Sequence, residues 1–332
     1  MSEKRLPGFS KRLSDLLPDF SREEAGGDGL FRRGRDGVLD ILTPRDRKSD
    51  FIVFEDKTLC YVKSAMGYPA IYPLREAEFT GSADAVLMDL DGTSVHSEPF
   101  WIWIIEQTVS RLKRQTFFRF EAEDEPHVSG HSVSEHLQYC ISKYCPEATV
   151  EEARRHYFEI TQYEMNEIMQ GRGKRDAFVP APGLKEFLLT LKSNGIKLGL
   201  VTSGLYEKAW PELVSAFRTL NLGHPFDVYD AVITAGQSLR PGQAGTLGEL
   251  APKPHPWLYA ETAKVGLGLE PGSRVVGIED SSAGVLSIRL AGFPAFGISG
   301  GNITRSGIRP LLAGEFSSLD ELLPLLSGRK RI

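Results

Sequence analysis

One stretch limits what this chain can fold into more than any other: Asp84-Ala85-Val86-Leu87-Met88-Asp89-Leu90-Asp91-Gly92-Thr93. A short apolar run leads into two carboxylates spaced one residue apart. Without alternation, such a run reads as a strand buried on both faces, as in parallel sheets. Gly92 breaks the run and permits a tight turn, so the strand is expected to end at Asp89. Open α/β sheets bind ligands beyond the carboxyl ends of their strands. Both acids should therefore face a crevice, where their repulsion calls for a positive partner. A divalent cation with oxygen ligands fits that need. A plain acidic turn is the blander account of the same residues. An EF-hand calcium loop fails on spacing, because Gly92 comes too early and no acid follows at the required later position.

The rest of the chain sets bounds. Its 332 residues can bury a large core and suggest two or more units. An apolar fraction of 41% and a charged fraction of 25% are ordinary for a soluble globular protein. A net charge of −5 leaves no footprint for nucleic acid. No apolar run is long enough to span a membrane, and Met1 to Phe20 has no signal-peptide segment. Cys60, Cys140 and Cys145 make no disulfide framework and fit a reducing compartment. The expected location is the cytoplasm. Oligomeric state is not legible.

Residues 1–80 carry no catalytic pattern. Gly26 to Arg35 is glycine-rich and charged, a loop or linker. Phe51-Ile52-Val53-Phe54 and Thr58-Leu59-Cys60-Tyr61-Val62 flank Glu55-Asp56-Lys57, which predicts a β-hairpin. Tyr68, Ile71 and Tyr72 follow in a proline-punctuated segment. This N-terminal extension reads more readily as a piece packed on the core than as a lid or oligomer contact. Helical spacing follows from Trp101 to Leu112. Ser132 with Glu135 and Thr149 with Glu152 make two capping boxes that open further helices. Residues 97–178 thus read as a helical cap inserted after the first strand. Residues 81–96 and 179–332 alternate strands with helices: Leu184 to Leu191, Ile196 to Val201, Tyr229 to Thr234, Arg274 to Ile278, Pro294 to Ile298 as the last strand, and Leu319 to Leu326 as a closing helix. Gln237 to Leu250 is a glycine-rich loop. The predicted fold is α/β, with a doubly wound, Rossmann-like parallel sheet core, the inserted cap and the extension.

Several of these strands end in residues able to act on a phosphate. The first ends in Asp89 and Asp91, the second in Thr202-Ser203-Gly204, and the fourth in Glu279-Asp280. Between the third and fourth lies Pro252-Lys253-Pro254-His255-Pro256, whose prolines fix the backbone that aims Lys253. Singly each has a plainer account: a helix cap, a solvated lysine, an acidic pair favouring a helix dipole. Together and in order they resemble the four motifs of the haloacid dehalogenase superfamily, in its helical-cap subfamily with phosphoglycolate-phosphatase-like enzymes and β-phosphoglucomutase. The resemblance covers about residues 83–300. It implies Asp89 as nucleophile and Asp91 as general acid and base. It implies magnesium held by Asp89, Asp280 and the Asp91 carbonyl, with Glu279 direct or through water. Thr202, Ser203 and Lys253 would bind the phosphoryl oxygens.

Departures from that family bear on substrate. Gly130-His131-Ser132-Val133-Ser134-Glu135-His136-Leu137 resembles its cap specificity loop, but Val133 stands where the mutase has an arginine for a second phosphate. Trp101 stands where the mutase has a histidine, and His96 replaces a common aspartate beside the hinge. The expected reaction is therefore hydrolysis of a small phosphorylated metabolite. Transfer or mutase chemistry is one alternative, and a non-enzymatic binding role through the extension is the other. His131 and His136 are expected substrate contacts. A zinc site from His127, His131, His136, Cys140 and Cys145 lacks suitable spacing, so cap packing explains them better.

Overall fold

Six parallel strands form the sheet into which the acidic stretch runs: β1 Ala85–Asp89, β2 Lys197–Thr202, β3 Ala231–Thr234, β4 Val275–Glu279, β5 Ala295–Ile298 and β6 Leu312–Phe316. This is a computed structural model, and it describes residues 5–63, 69–124, 133–174, 176–234 and 251–327. Tyr68, Ser132, His127, His131, Gln237 to Leu250 and the basic tail Arg329 to Arg331 lie outside the described residues. The strand order is β3-β2-β1-β4-β5-β6, all parallel, a doubly wound α/β sheet. Every residue of β1 and β4 is buried, as an uninterrupted apolar run predicts. The order reverses between β1 and β4, the place where such sheets bind ligands.

Register decides which strand ends meet. Ile278 pairs with Met88 and Val201 with Asp89. Glu279 thus follows at the level of Asp89, and Thr202 one step beyond it. One expectation needs correction: Ala295–Ile298 is not the last strand. Leu312–Phe316 pairs parallel with it, with a register shift between Ala295 and Phe296. Its sequence, Leu-Ala-Gly-Glu-Phe, lacks an apolar run because it is a half-buried edge.

The N-terminal residues build more than the expected hairpin. Phe20–Arg22, Asp40–Pro44, Ser49–Val53, Thr58–Val62 and Ala70–Leu74 form a five-stranded antiparallel sheet. The hairpin itself closes with Val53 opposite Thr58. Pro73 lies on the last strand, an edge, where a missing N–H costs no ladder bond. Phe9, Leu16, Phe20, Leu42 and Phe51 belong to one buried cluster with Ala85, Leu87, Val285 and Leu286 of the parallel-sheet region. Accordingly, Met1–Ser94 forms one compact unit with Ala181–Ala209 and Leu222–Ile332.

The second unit comprises Val95–Pro180 and Trp210–Asn221. Its helices include α1 Glu98–Leu112, α2 Val133–Tyr144 and α3 Val150–Met169, joined by the later part of the helix Tyr206–Leu220. Thr149 caps α3 by accepting from Glu152 N at 3.1 Å. Val95–His96 pairs antiparallel with Val179–Pro180. Rings of Phe100, Trp101, Trp103 and Phe178 meet edge-on or tilted at 4.6–6.1 Å, so both tryptophans serve packing. Asp124 is fully buried and accepts from Tyr139 Oη and Tyr144 Oη, both at 2.5 Å, Lys143 Nζ at 2.7 Å and Glu121 N at 2.8 Å. No helix among the described residues is long and apolar enough to cross a membrane.

Candidate active site

The turn after β1 closes as the glycine predicts: Gly92 has φ +85°. Ser94 Oγ donates to the Asp89 carbonyl at 2.6 Å and fixes the turn from within. Asp89 is 6% exposed, whereas the Asp91 side chain faces solvent. After β4, Ser281 caps the helix Ser282–Leu290 (α4), accepting from Gly284 N at 3.1 Å. Its hydroxyl also donates to Glu279 Oε2 at 2.9 Å, which orients that carboxylate.

Carboxylate oxygens of Asp89, Glu279 and Asp280 lie within 4.8 Å of one another, the one such metal-competent group among the described residues. Lys253 is drawn into it. Its side chain is 6% exposed, and Nζ donates to Asp89 Oδ1 at 2.5 Å, Glu279 Oε1 at 2.6 Å and the Val201 carbonyl at 3.0 Å. It is a buried countercharge, not a solvated surface lysine. The start of its turn is tied to β2, because Lys253 N donates to Ser203 Oγ at 3.1 Å. Thr202 is buried at the end of β2 and accepts from Gly204 N at 2.9 Å. The structure therefore brings Asp89, Lys253, Glu279 and Asp280 together, with Thr202 and Ser203 at the adjoining strand end.

The electrostatics follow from burial. Asp89 is pushed well above the usual carboxylate range, first by desolvation and then by Glu279, with Lys253 opposing. Asp280 is raised to about 7, again by burial first and Glu279 second. Burial alone would lower the Lys253 ammonium, but Asp89 and Glu279 outweigh it and hold the lysine above its ordinary range. With all three acids ionised, three carboxylates against one ammonium would leave two negative charges in a largely buried site. Such an excess costs several kcal/mol per unpaired ion. A divalent ion with oxygen ligands would cancel it, so the donor set fits magnesium.

Three residues escaped the sequence reading. Tyr259 Oη donates to Glu279 Oε1 at 3.0 Å, and the Lys253 ammonium sits 5.2 Å from the Tyr259 ring centroid. Asn302 N donates to the Asp280 carbonyl at 3.1 Å, while its Oδ1 accepts from Ser282 N at 2.7 Å. Ser94 is the third. The signal for Asn302 was its place, since Ser299-Gly300-Gly301 follows the carboxyl end of β5.

The expected substrate contacts in the second unit are less informative. His136 is buried on α2 at 8% exposure, and His131 lies outside the described residues. Cys140 and Cys145 are free and buried, and desolvation pushes the Cys140 thiol up to about 12.

A model of the haloacid dehalogenase-like hydrolases matches residues 83–292. Among solved structures, the chain is similar to a predicted phosphoglycolate phosphatase from Haemophilus somnus, at 20% identity and a TM-score of 0.55, over 74% of this chain and 99% of that one. It is similar to a putative β-phosphoglucomutase from Thermotoga maritima at 20% identity and 0.51, over 73% and 97%. It is also similar to CbbY from Rhodobacter sphaeroides in complex with phosphate, at 20% and 0.50, over 72% and 96%. At such identities the likeness concerns the fold. No curated protein matches the chain.

Proposed function

The chain belongs to the haloacid dehalogenase-like hydrolase family, and from that premise we propose that it is a magnesium-dependent phosphatase acting on a small phosphorylated metabolite through an aspartyl-phosphate. The observation that carries the reading is the convergence of Asp89, Glu279 and Asp280 around the buried ammonium of Lys253. Asp89, Asp280 and the Asp91 carbonyl would hold magnesium, with Glu279 direct or through water. The bound ion would neutralise charge on the transferring phosphoryl group.

An Asp89 carboxylate oxygen bonds to phosphorus as the bond from phosphorus to the ester oxygen breaks. Asp91, whose side chain is exposed, gives its proton to that leaving oxygen. Asp91 then takes a proton from water as the water oxygen bonds to phosphorus. The Asp89–phosphorus bond breaks, inorganic phosphate leaves, and both aspartates return to their starting states. Lys253, Thr202 and backbone N–H groups near Ser203 hold the non-bridging oxygens throughout. The free, buried cysteines support a reducing, cytoplasmic setting.

The test is release of inorganic phosphate from an aryl phosphate by the magnesium-loaded protein. The reading expects release that stops on chelation and in Asp89→Asn. Phosphate migrating between positions of a sugar phosphate without net release would point to mutase chemistry. An inert protein across a panel of phosphate esters would overturn the enzymatic reading.

A further inference from the structure

We propose that Tyr72, outside the family-matched segment, is a positioning residue for Lys253, so that the N-terminal sheet is part of the catalytic apparatus. The inference rests on the phosphatase reading for the meaning of Lys253, though not for its geometry.

Tyr72 lies on Ala70–Leu74, the last strand of the N-terminal sheet. Its Oη is 2.8 Å from His255 Nδ1, two residues beyond the lysine. Its ring meets His255 edge-on at 5.8 Å and Trp257 edge-on at 5.9 Å. It therefore grips the far side of the turn that carries Lys253. His255 is 1% exposed, and burial lowers its tendency to protonate. A neutral, desolvated imidazole gains orientation from a hydrogen-bonding partner.

The main chain of the same turn is pinned elsewhere. His255 N donates to the Pro252 carbonyl at 3.1 Å, and Ser287 Oγ on α4 donates to the His255 carbonyl at 2.6 Å. Lys253 N donates to Ser203 Oγ at 3.1 Å. The turn is thus held from the end of β2, from α4 and from the N-terminal sheet. A lysine side chain has four rotatable carbons, so the aim of its ammonium depends on where its backbone is fixed. Small displacements of such a group are costly to catalysis. The phenol hydroxyl, rather than the ring, makes the polar contact, so packing alone does not explain a tyrosine here.

The experiment compares the full-length, magnesium-loaded protein with Tyr72→Phe. Ile71→Thr serves as control, an exposed change on the same strand. Two quantities are read: kcat and KM on an aryl phosphate, and the acylation rate of Lys253 by mass spectrometry, with Lys197 as internal reference. Tyr72→Phe is expected to lower kcat roughly tenfold with KM within about twofold. It should also raise Lys253 acylation several-fold over Lys197, while Ile71→Thr changes neither. General loosening would speed both lysines together and would overturn the proposal, as would an active Tyr72→Phe with unchanged kcat and labelling. If the wild type releases no phosphate yet Tyr72→Phe unmasks Lys253 selectively, the phosphatase reading fails and the positioning role stands.

Discussion

A Cβ at Gly92 would overlap Asp280 Oδ2, one at Gly284 would overlap the Glu279 carboxylate, and one at Gly301 would overlap the Asp280 carbonyl. The backbone can close on the two acids because these positions have no side chain. Gly92 carries the further demand of φ +85°, which other residues adopt with strain. Gly92→Ala should therefore move Asp280 as well as strain the turn, lowering kcat by about 100-fold and weakening the magnesium response. A magnesium titration of phosphate release checks this, and near-normal rates would contradict it. Gly292 is the contrast. Its φ is +91°, but nothing lies within 4 Å of a Cβ there. Gly292→Ala should cost about 1 kcal/mol of stability and leave the rate alone. At this scale the acids, Thr202 and Lys253 were legible because they end strands or follow prolines. Tyr259 and Ser94 were not, since a helical tyrosine and a serine after a turn look the same whether or not they touch a carboxylate.

Among the elements, the part of the second unit before and within α2 is organised by a single buried carboxylate. Burial alone would raise Asp124, but Lys143, the two tyrosine hydroxyls and the Glu121 N–H outweigh it and hold the carboxyl well below its ordinary range. A carboxyl depressed on folding adds stability that is fully present above its unfolded value, near 3.8, and is lost as pH falls through the folded value. Asp124→Asn should thus cost about 2 kcal/mol at neutral pH, by the strength of hydrogen bonds to charged groups. The gap from wild type should shrink as pH drops from about 5 to about 2. Urea unfolding across that range reads both, and a gap independent of pH would refute the role. Asp124 itself was invisible in the sequence, where it is one of several acids in Glu121-Ala122-Glu123-Asp124. What could be read were elements with period or punctuation: α1, α3 with its Thr149 cap, and the buried strands. Phe20–Arg22 is too short to show a period, and Ala70–Leu74 hid behind Pro73. β6 has a glycine and a glutamate in place of an apolar run.

For the chain as a whole, the question is why about eighty residues precede the family-matched segment. The shared apolar cluster is one answer, and Arg289 is a second, polar one. It lies on α4, is 4% exposed, and its guanidinium donates to the carbonyls of Gly8 and Arg75, both at 2.9 Å. Burial lowers it to about 10, with Glu76 opposing, so the guanidinium stays charged at neutral pH. One guanidinium N–H also donates to the Phe293 carbonyl at 3.3 Å, and a desolvated cation that gives its other hydrogen bonds to main-chain carbonyls of a preceding segment acts as a clasp between that segment and the helix that follows Glu279-Asp280. Arg289→Met keeps much of the volume and removes the donors. It should cost about 2–3 kcal/mol, because two acceptors lose a charged partner. The loss should be local before it is global, with protease cleavage appearing first within residues 5–63. Where the N-terminal sheet loosens, Tyr72 leaves His255, so kcat should fall to about the level of Tyr72→Phe and no further. A variant as stable and as protease-resistant as wild type would mean that apolar packing alone holds the sheet in place. A rate far below that of Tyr72→Phe would mean that α4 carries strain directly into Glu279 and Asp280.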